Sequence, residues 1–286
     1  MRFLFYLVAV SFLLLVRCDN PFLTKDINKP ENLTLDQAWD GIEITWDDNN
    51  DYEDGYDIFR NNQKIATLEP DETEYLDHSF SPFEPLAYYV SCFKDGGESE
   101  DTDKQNISIA LKFYDRFTNS ISSVWYKTPE ATILTYSNGE MNINGDDSDE
   151  FQHNAYFYED IQTPFTFGAK MRKISGGNSA TFGIGVRSES TDARIFIFIS
   201  GSQRLRVMEF QEEWRDLITP VNNNSINSNG SNEIRFCVDQ DKFKAFINGE
   251  EVCLMYYSFS DYADCFYLYT QEDLSVNFDD VYLFQN

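Results

Sequence analysis

Basic residues are scarce. The 286-residue chain has 22 lysines and arginines against 49 acids, a net charge of -27. A phosphate backbone is held by Lys and Arg, so this balance argues against nucleic acid as a partner. It argues equally against direct adsorption to an anionic membrane surface. Histidine is scarcer: only His78 and His153, both read as surface residues rather than bases. No Cys-x-x-Cys or His-x-x-x-His spacing suggests zinc. There is no Gly-x-Ser-x-Gly nucleophile elbow and no glycine loop to cradle phosphate. No segment carries a long helical period. What is plentiful is aromatic: 16% of the chain, mostly 25 Phe and 17 Tyr. These residues favour strands, so an all-β chain is expected.

The first residues are of a different kind. Arg2 precedes an apolar run from Phe3 to Val16, followed by Arg17 and Cys18. A basic start and an apolar stretch of this length read as an export signal. The run is short for a membrane span, which needs about 20 apolar residues. Leu15-Val16-Arg17-Cys18 resembles a bacterial lipobox, with Arg17 where a small residue is usual. The resemblance implies a signal over residues 1–18, lipid on Cys18 and an exported, lipid-anchored protein of the cell envelope, exposed at the surface. Residues 19–29 then read as a polar tether.

Four further cysteines remain: Cys92, Cys237, Cys253 and Cys265. Outside the cytoplasm an even count permits bridges, with Cys253–Cys265 the favoured pair. Three of them lie in apolar strand patterns, which suits buried free thiols equally well.

Residues 30–110 carry seven short strand signals separated by polar turns, the pattern of an immunoglobulin-like sandwich. Ile42, Ile44 and Trp46 alternate with Glu43 and Thr45, so they share one face. Pro30-x-x-Leu33, Trp46, Tyr56-x-Ile58-x-Arg60-Asn61, Tyr88-x-Val90-x-Cys92 and Gly97-Glu98-Ser99 together resemble a fibronectin type III domain. The resemblance implies that Tyr88 is a corner tyrosine bonding nearby backbone. The family's arginine-glycine-aspartate loop is absent, so this half is expected to be a spacer.

Residues 111–286 show about eleven further strand signals. Asn248-Gly249 is a type I′ hairpin turn signal. Phe113-x-Asp115-x-Phe117, Trp125, Phe182-Gly183-Ile184-Gly185-Val186-Arg187, Glu233-Ile234-Arg235-Phe236-x-Val238-Asp239 and Phe278-Asp279-Asp280-Val281-Tyr282 resemble a concanavalin A-like (laminin G-like) jelly roll. That superfamily includes lectins and glycosidases, so fold alone does not name an activity. Glucanases of this fold carry alternating acids on one strand, and no such run is present. Glu209-x-x-Glu212-Glu213 has the wrong spacing, and the acidic run 146–150 reads as a solvated loop. The resemblance also places the first and last strands together, making Asp115 with Asp280 (or Asp279) a candidate calcium site.

Bases alternate with apolar residues on successive strands: Lys170, Arg187, Arg206 and Arg235 among them. A period of two turns them away from the core. Sharing one sheet, they would form a groove for carboxylated or sulfated glycan, with Gly183 and Gly185 leaving room. Cross-strand pairing with acids is the competing reading. Trp214, Tyr256 and Tyr257 are candidates to stack on sugar rings. The expectation is a non-catalytic, lipid-anchored surface protein. Its jelly roll binds carbohydrate or a matrix ligand. A secreted polysaccharide hydrolase and a structural envelope protein without a ligand are the alternatives.

Overall fold

The computed structural model describes residues 27–118, 124–128, 132–145, 152–189, 191–259 and 262–285. The signal, Cys18, most of the tether and the 146–150 loop lie outside the described residues. Every regular element within them is a strand. The chain is all-β, an immunoglobulin-like sandwich followed by a larger jelly-roll sandwich.

The first sandwich is built from β1 (Glu31–Gln37), β2 (Ile42–Asp47), β3 (Gly55–Arg60), β4 (Gln63–Leu68), β5 (Glu74–Asp77), β6 (Leu86–Lys94), β7 (Gly97–Glu98) and β8 (Gln105–Ile107). One sheet runs β1-β2-β5. The other runs β4-β3-β6-β7, with β8 also on β6. The alternation on β2 does what it implies: Ile42, Ile44 and Trp46 are buried, and Glu43 is exposed. Burying each such side chain contributes about 1.5–3 kcal/mol. The Tyr88 hydroxyl is buried but does not reach backbone. It donates to the Asp77 carboxylate at 2.8 Å, which also accepts from Arg60 (2.5 Å) and the Ser79 amide (2.8 Å). A wholly buried carboxylate needs several donors, and here the tyrosine hydroxyl is one of them.

The second sandwich contains β9 (Leu111–Asp115), β10 (Tyr126–Thr128), β11 (Ile133–Ser137), β12 (Glu140–Asn144), β13 (Gln152–Gln162), β14 (Phe165–Ser175), β15 (Thr181–Ser188) and β16 (Arg194–Ser200). It continues with β17 (Arg204–Phe210), β18 (Trp214–Asn222), β19 (Asn232–Asp239), β20 (Lys242–Ile247), β21 (Glu250–Tyr256), β22 (Tyr262–Gln271) and β23 (Ser275–Gln285). A seven-stranded sheet has the order β10-β13-β22-β15-β16-β17-β18. An eight-stranded sheet has the order β11-β12-β23-β14-β19-β20-β21, with β9 on β23. Phe, Ile, Val and Leu from the two inner faces form one continuous core. The β20–β21 turn has positive φ at Asn248 (54°) and Gly249 (85°), as a type I′ turn requires.

The four described cysteines are free and buried. Cys253 lies on β21 of one sheet and Cys265 on β22 of the other, so the favoured bridge is replaced by two separate thiols. Burial pushes both up to about 11 and Cys237 up to about 12.

The outer face of the eight-stranded sheet is not free. Tyr282 and Phe284 of β23 belong to the apolar core of the first sandwich, beside Phe80 and Leu86. The Thr166 hydroxyl donates to the Trp39 carbonyl (2.8 Å), and Lys244 pairs with buried Asp40 (2.6 Å). The two sandwiches therefore pack directly against each other.

Candidate functional site

The predicted site residues divide between the two sheets. Arg187 (β15), Arg206 (β17) and Trp214 (β18) lie on the outer face of the seven-stranded sheet. Lys170 (β14), Arg235 (β19) and Tyr256 (β21) belong to the eight-stranded sheet. They cannot form one groove.

Arg235 is the sharpest correction. Its guanidinium is 2% exposed and lies in the contact between the sandwiches. It donates to the His78 carbonyl (2.7 Å), the Phe80 carbonyl (2.8 Å) and the Tyr282 hydroxyl (3.0 Å). Turning away from one core carried it into contact with another. Lys170 is committed to Asp280 at 2.5 Å. Burial opposes its charge, but Asp280 with Glu233 and Asp279 together outweigh burial and its pKa rises. Tyr256 is 79% exposed, but lies on the other sheet from Trp214. Its neighbour Tyr257 instead donates to Glu209.

The expected calcium pair is corrected too. Asp115 accepts from the Phe117 amide (2.8 Å) and the Trp125 indole (2.9 Å). Asp280 is held by Arg116 (3.0 Å) and Lys170 (2.5 Å). The strands do meet, Asp115 facing Val281, but Asp280 is neutralised by two bases and Asp115 pairs with neither of them.

What remains is the outer face of the seven-stranded sheet, and it is aromatic. Phe196 and Phe198 (β16), Tyr267 and Tyr269 (β22) and Met208 (β17) form a second apolar layer, with Tyr156 and Trp214 at its margins. Phe198 and Tyr269 have centroids 4.6 Å apart, and Trp214 lies 5.4 Å from Phe196 and 6.1 Å from Phe198. The glycines do not leave room for a ligand. A Cβ on Gly185 would sit 2.3 Å from the Phe196 ring, and one on Gly183 would sit 1.9 Å from the Ile197 carbonyl oxygen. Their missing side chains admit the aromatic layer instead.

Beside this layer, Thr181, Phe198, Arg206, Met208, Trp214, Tyr269 and Gln271 line a cavity of about 240 Å³. At ~30 Å³ per water it holds the volume of about eight waters, a ring-sized polar group. Gln271 is oriented by the Thr181 amide at 2.9 Å. Burial pushes Tyr269 up to about 12, so its hydroxyl stays a neutral donor. Arg206 forms a two-point fork with Asp216 (2.5 and 3.1 Å). Further along the sheet Arg187 does the same with Asp264 (2.9 and 2.6 Å), which holds its pKa above the usual range. Arg206 and Arg187 are each matched by an acid, so cross-strand pairing takes up two of the bases expected in a free basic row, while Arg204 on the same face donates to the Pro220 carbonyl (2.9 Å).

A larger cavity of about 490 Å³ lies at the β17–β18 end, lined by Thr191, Asp192, Glu209, Gln211, Glu212, Glu213 and Arg215. It has no aromatic wall. Glu209 is buried and bonded to Tyr257 and Arg215. The smaller cavity has the better chemistry for a sugar, an apolar ring face with fixed polar groups at its edge.

Only Trp214 and Arg206 among the predicted residues line it. Phe198, Tyr269 and Gln271 were missed, although Phe196-x-Phe198 and Tyr267-x-Tyr269 are visible as alternating aromatics on buried strands.

No protein-family model matches the chain, and no curated protein does. Solved structures are similar in fold. One is described as that of endo-acting O-glycanases expressed by prominent members of the human gut microbiota to initiate mucin breakdown. It is 10% identical with a TM-score of 0.51, covering 62% of this chain and 100% of that one. Others are a carbohydrate-binding module from Bacillus subtilis (12% identical, TM-score 0.47, 58% of this chain and 99% of that one) and a Bacillus licheniformis beta-glucanase (12%, 0.48, 61% and 98%). At such identities the likeness is one of fold, a jelly-roll sandwich.

Proposed function

We propose that the larger sandwich binds carbohydrate, without cleaving it, through the outer face of its seven-stranded sheet. The observation that carries this is the cavity where Arg206, forked to Asp216, meets Trp214, Tyr269 and Phe198. Apolar ring faces beside an ordered Arg–Asp pair suit a saccharide, which presents C–H faces and rims of hydroxyls. Because Arg187 and Arg206 are compensated by Asp264 and Asp216, the ligand is a neutral saccharide rather than a polyanion.

The absence of hydrolysis is supported by the acids of this face. A retaining glycosidase needs two carboxylates about 5–5.5 Å apart. Two carboxylates beside the aromatic layer, Asp216 and Asp264, are each engaged by an arginine.

The first sandwich is a fibronectin type III-like support. The pairing orders β1-β2-β5 and β4-β3-β6, with Trp46 and Tyr56 in the core, favour that reading. It carries the binding sandwich on a rigid contact rather than a loose linker. Export and lipid attachment at Cys18 complete the reading, as a protein of the cell envelope displayed at the surface.

A glycan array probed with the full mature chain tests binding. The wild type should select neutral glycans, and Trp214→Ala and Arg206→Ala should each lower the affinity at least tenfold, or about 1.4 kcal/mol. Undiminished binding by both variants contradicts the site. Release of reducing ends from a bound glycan contradicts the non-catalytic reading. Mass spectrometry of the exported protein should find diacylglycerol on Cys18; an unmodified Cys18 removes the anchor and leaves the binding site standing.

A further inference from the structure

The aromatic layer does not end at the cavity. Register sets Tyr126, Tyr156, Tyr267, Gly185, Phe196 and Met208 side by side on β10, β13, β22, β15, β16 and β17. These residues share the outer face, so the row crosses the strands. Strands lie about 4.8 Å apart, so the steps from Tyr126 to Met208 span about 24 Å. Rings meet along it. Centroids are 5.6 Å apart for Tyr126–Tyr156, 5.7 Å for Tyr156–Tyr267 and 5.4 Å for Tyr267–Phe196. Trp214 stands at the far end, 5.4 Å from Phe196. The cavity at Trp214 takes one ring-sized group, and the row runs well beyond it.

The end opposite the cavity is open. Tyr126 and Tyr158 are 51% and 52% exposed, while Tyr267 and Phe196 between them and the cavity are buried. Tyr158 contacts both rings of the first pair, at 5.5 Å from Tyr126 and 5.7 Å from Tyr156. Arg187, fixed by its fork to Asp264, lies 5.7 Å from the Tyr158 ring. The tyrosines are therefore held in place although water reaches them. Exposed rings continuous with a packed apolar layer mark a binding surface.

A second, independent observation lies between the open tyrosines and the cavity. Asn154 is two residues before Tyr156 on β13, so it turns to the same face. Register places it opposite Tyr269, which lines the cavity. Asn154 is 8% exposed, and its amide oxygen accepts no hydrogen bond from any described residue. A buried acceptor of this kind calls for a donor, and a sugar hydroxyl is one.

We propose that this row is a track for an extended oligosaccharide, with one unit in the Trp214 cavity and further units passing Asn154 to end on Tyr126 and Tyr158. The inference rests on the carbohydrate-binding reading and adds the form of the ligand. It is the interior of a linear neutral chain, not a single terminal sugar. Pyranose C–H faces stack on the exposed tyrosines, which lose little conformational freedom on binding because a tyrosine has only two rotatable side-chain angles. The Arg187–Asp264 and Arg206–Asp216 pairs flank the row. The apolar surface is thus a stripe, narrower than the patch of about 800 Å² that a protein partner covers on each side.

Isothermal titration of the full mature chain tests this, with a length series of the neutral glycan selected on the array, from monosaccharide to hexasaccharide. Affinity should rise with length until the row is covered. Tyr126→Ala and Tyr158→Ala should each weaken the hexasaccharide about fivefold, the scale of one ring contact, and leave the monosaccharide unchanged. Both side chains are half exposed, so these variants keep the fold. Asn154→Ala should weaken the hexasaccharide as well. Trp214→Ala should weaken every length, and Tyr256→Ala, on the other sheet, should change none. Equal affinity at all lengths overturns the track and leaves the cavity standing. So does a length dependence that survives both tyrosine variants. Failure of the wild type to bind any length removes the carbohydrate reading itself and this inference with it.

Discussion

Arg235 is a charge without water, held by two carbonyls and a phenol from two separate segments. Its Nη2 is 3.5 Å from Glu233, which also accepts from the Tyr282 hydroxyl at 2.6 Å. Removing one member of such a buried network leaves the others unpaired, which costs about 3–5 kcal/mol. Arg235→Ala should therefore lower the urea-unfolding free energy by that amount. Arg172→Ala should cost no more than about 1 kcal/mol, because the Arg172–Glu140 pair is partly exposed. The sequence makes both look alike, each a base next to an apolar residue on a strand, Arg235 after Ile234 and Arg172 after Met171. A period of two tells which residues turn from the core of their own sheet. It does not tell what lies over them, and here a second sandwich covers one sheet and leaves the other open. Arg206 and Trp214 were legible as facing outward, and pairing of the bases with acids was the competing reading, although Asp216 itself was not singled out as the partner.

Strands were legible where both faces are buried, and the ones without a signal are edge strands of the second sandwich. The continuous runs of β14, β15, β16 and β23 stand out because water reaches neither side, so apolar residues occupy both parities. β9, β10, β11 and β18 had no clear signal. Each pairs on only one side, and β18 carries Pro220, which an edge tolerates. The β15–β16 pair carries its own prediction. Gly183→Ala would press a Cβ against the Ile197 carbonyl, which cannot swing aside, and should destabilise by about 1–3 kcal/mol. Gly185→Ala would meet only the Phe196 ring. It should cost less stability than Gly183→Ala and should disturb glycan binding more, through the aromatic layer. Thermal unfolding beside glycan titration of the two variants separates these effects.

At the scale of the molecule, two sandwiches share Tyr282 and Phe284 and are joined by Lys244–Asp40 and Arg235. They should unfold in one transition, and Arg235→Ala should separate it into two in calorimetry. The buried thiols add a pH dependence. An unfolded cysteine ionises near 9.0, whereas folded Cys253 and Cys265 wait until about 11 and Cys237 until about 12. Between these values the unfolded chain has fewer bound protons than the folded one, so stability falls as pH rises. Their contribution is fully present below pH 9 and lost by about pH 11–12, at up to about 1.4 kcal/mol per pH unit for each thiol. Urea midpoints at pH 8 and pH 10.5 measure the slope, and Cys253→Ala should flatten it. The arrangement of whole sandwiches was legible from strand spacing and turn residues. Their contact was not, because it is made by residues far apart in sequence: His78 and Phe80 on one side, Arg235 and Tyr282 on the other.

Glycan binding through the seven-stranded sheet is the claim on which the functional reading rests, and the four tryptophans report on it separately. Trp39 lies at the contact between sandwiches, Trp46 in the first core, Trp125 against the second core and Trp214 at the cavity. Indole ¹⁵N–¹H spectra of the full chain, titrated with a neutral glycan selected from the array, should move the Trp214 signal progressively to saturation. The other three should stay in place. Movement of the Trp39 signal with Trp214 unmoved, or no movement at saturating glycan, would contradict binding at this face.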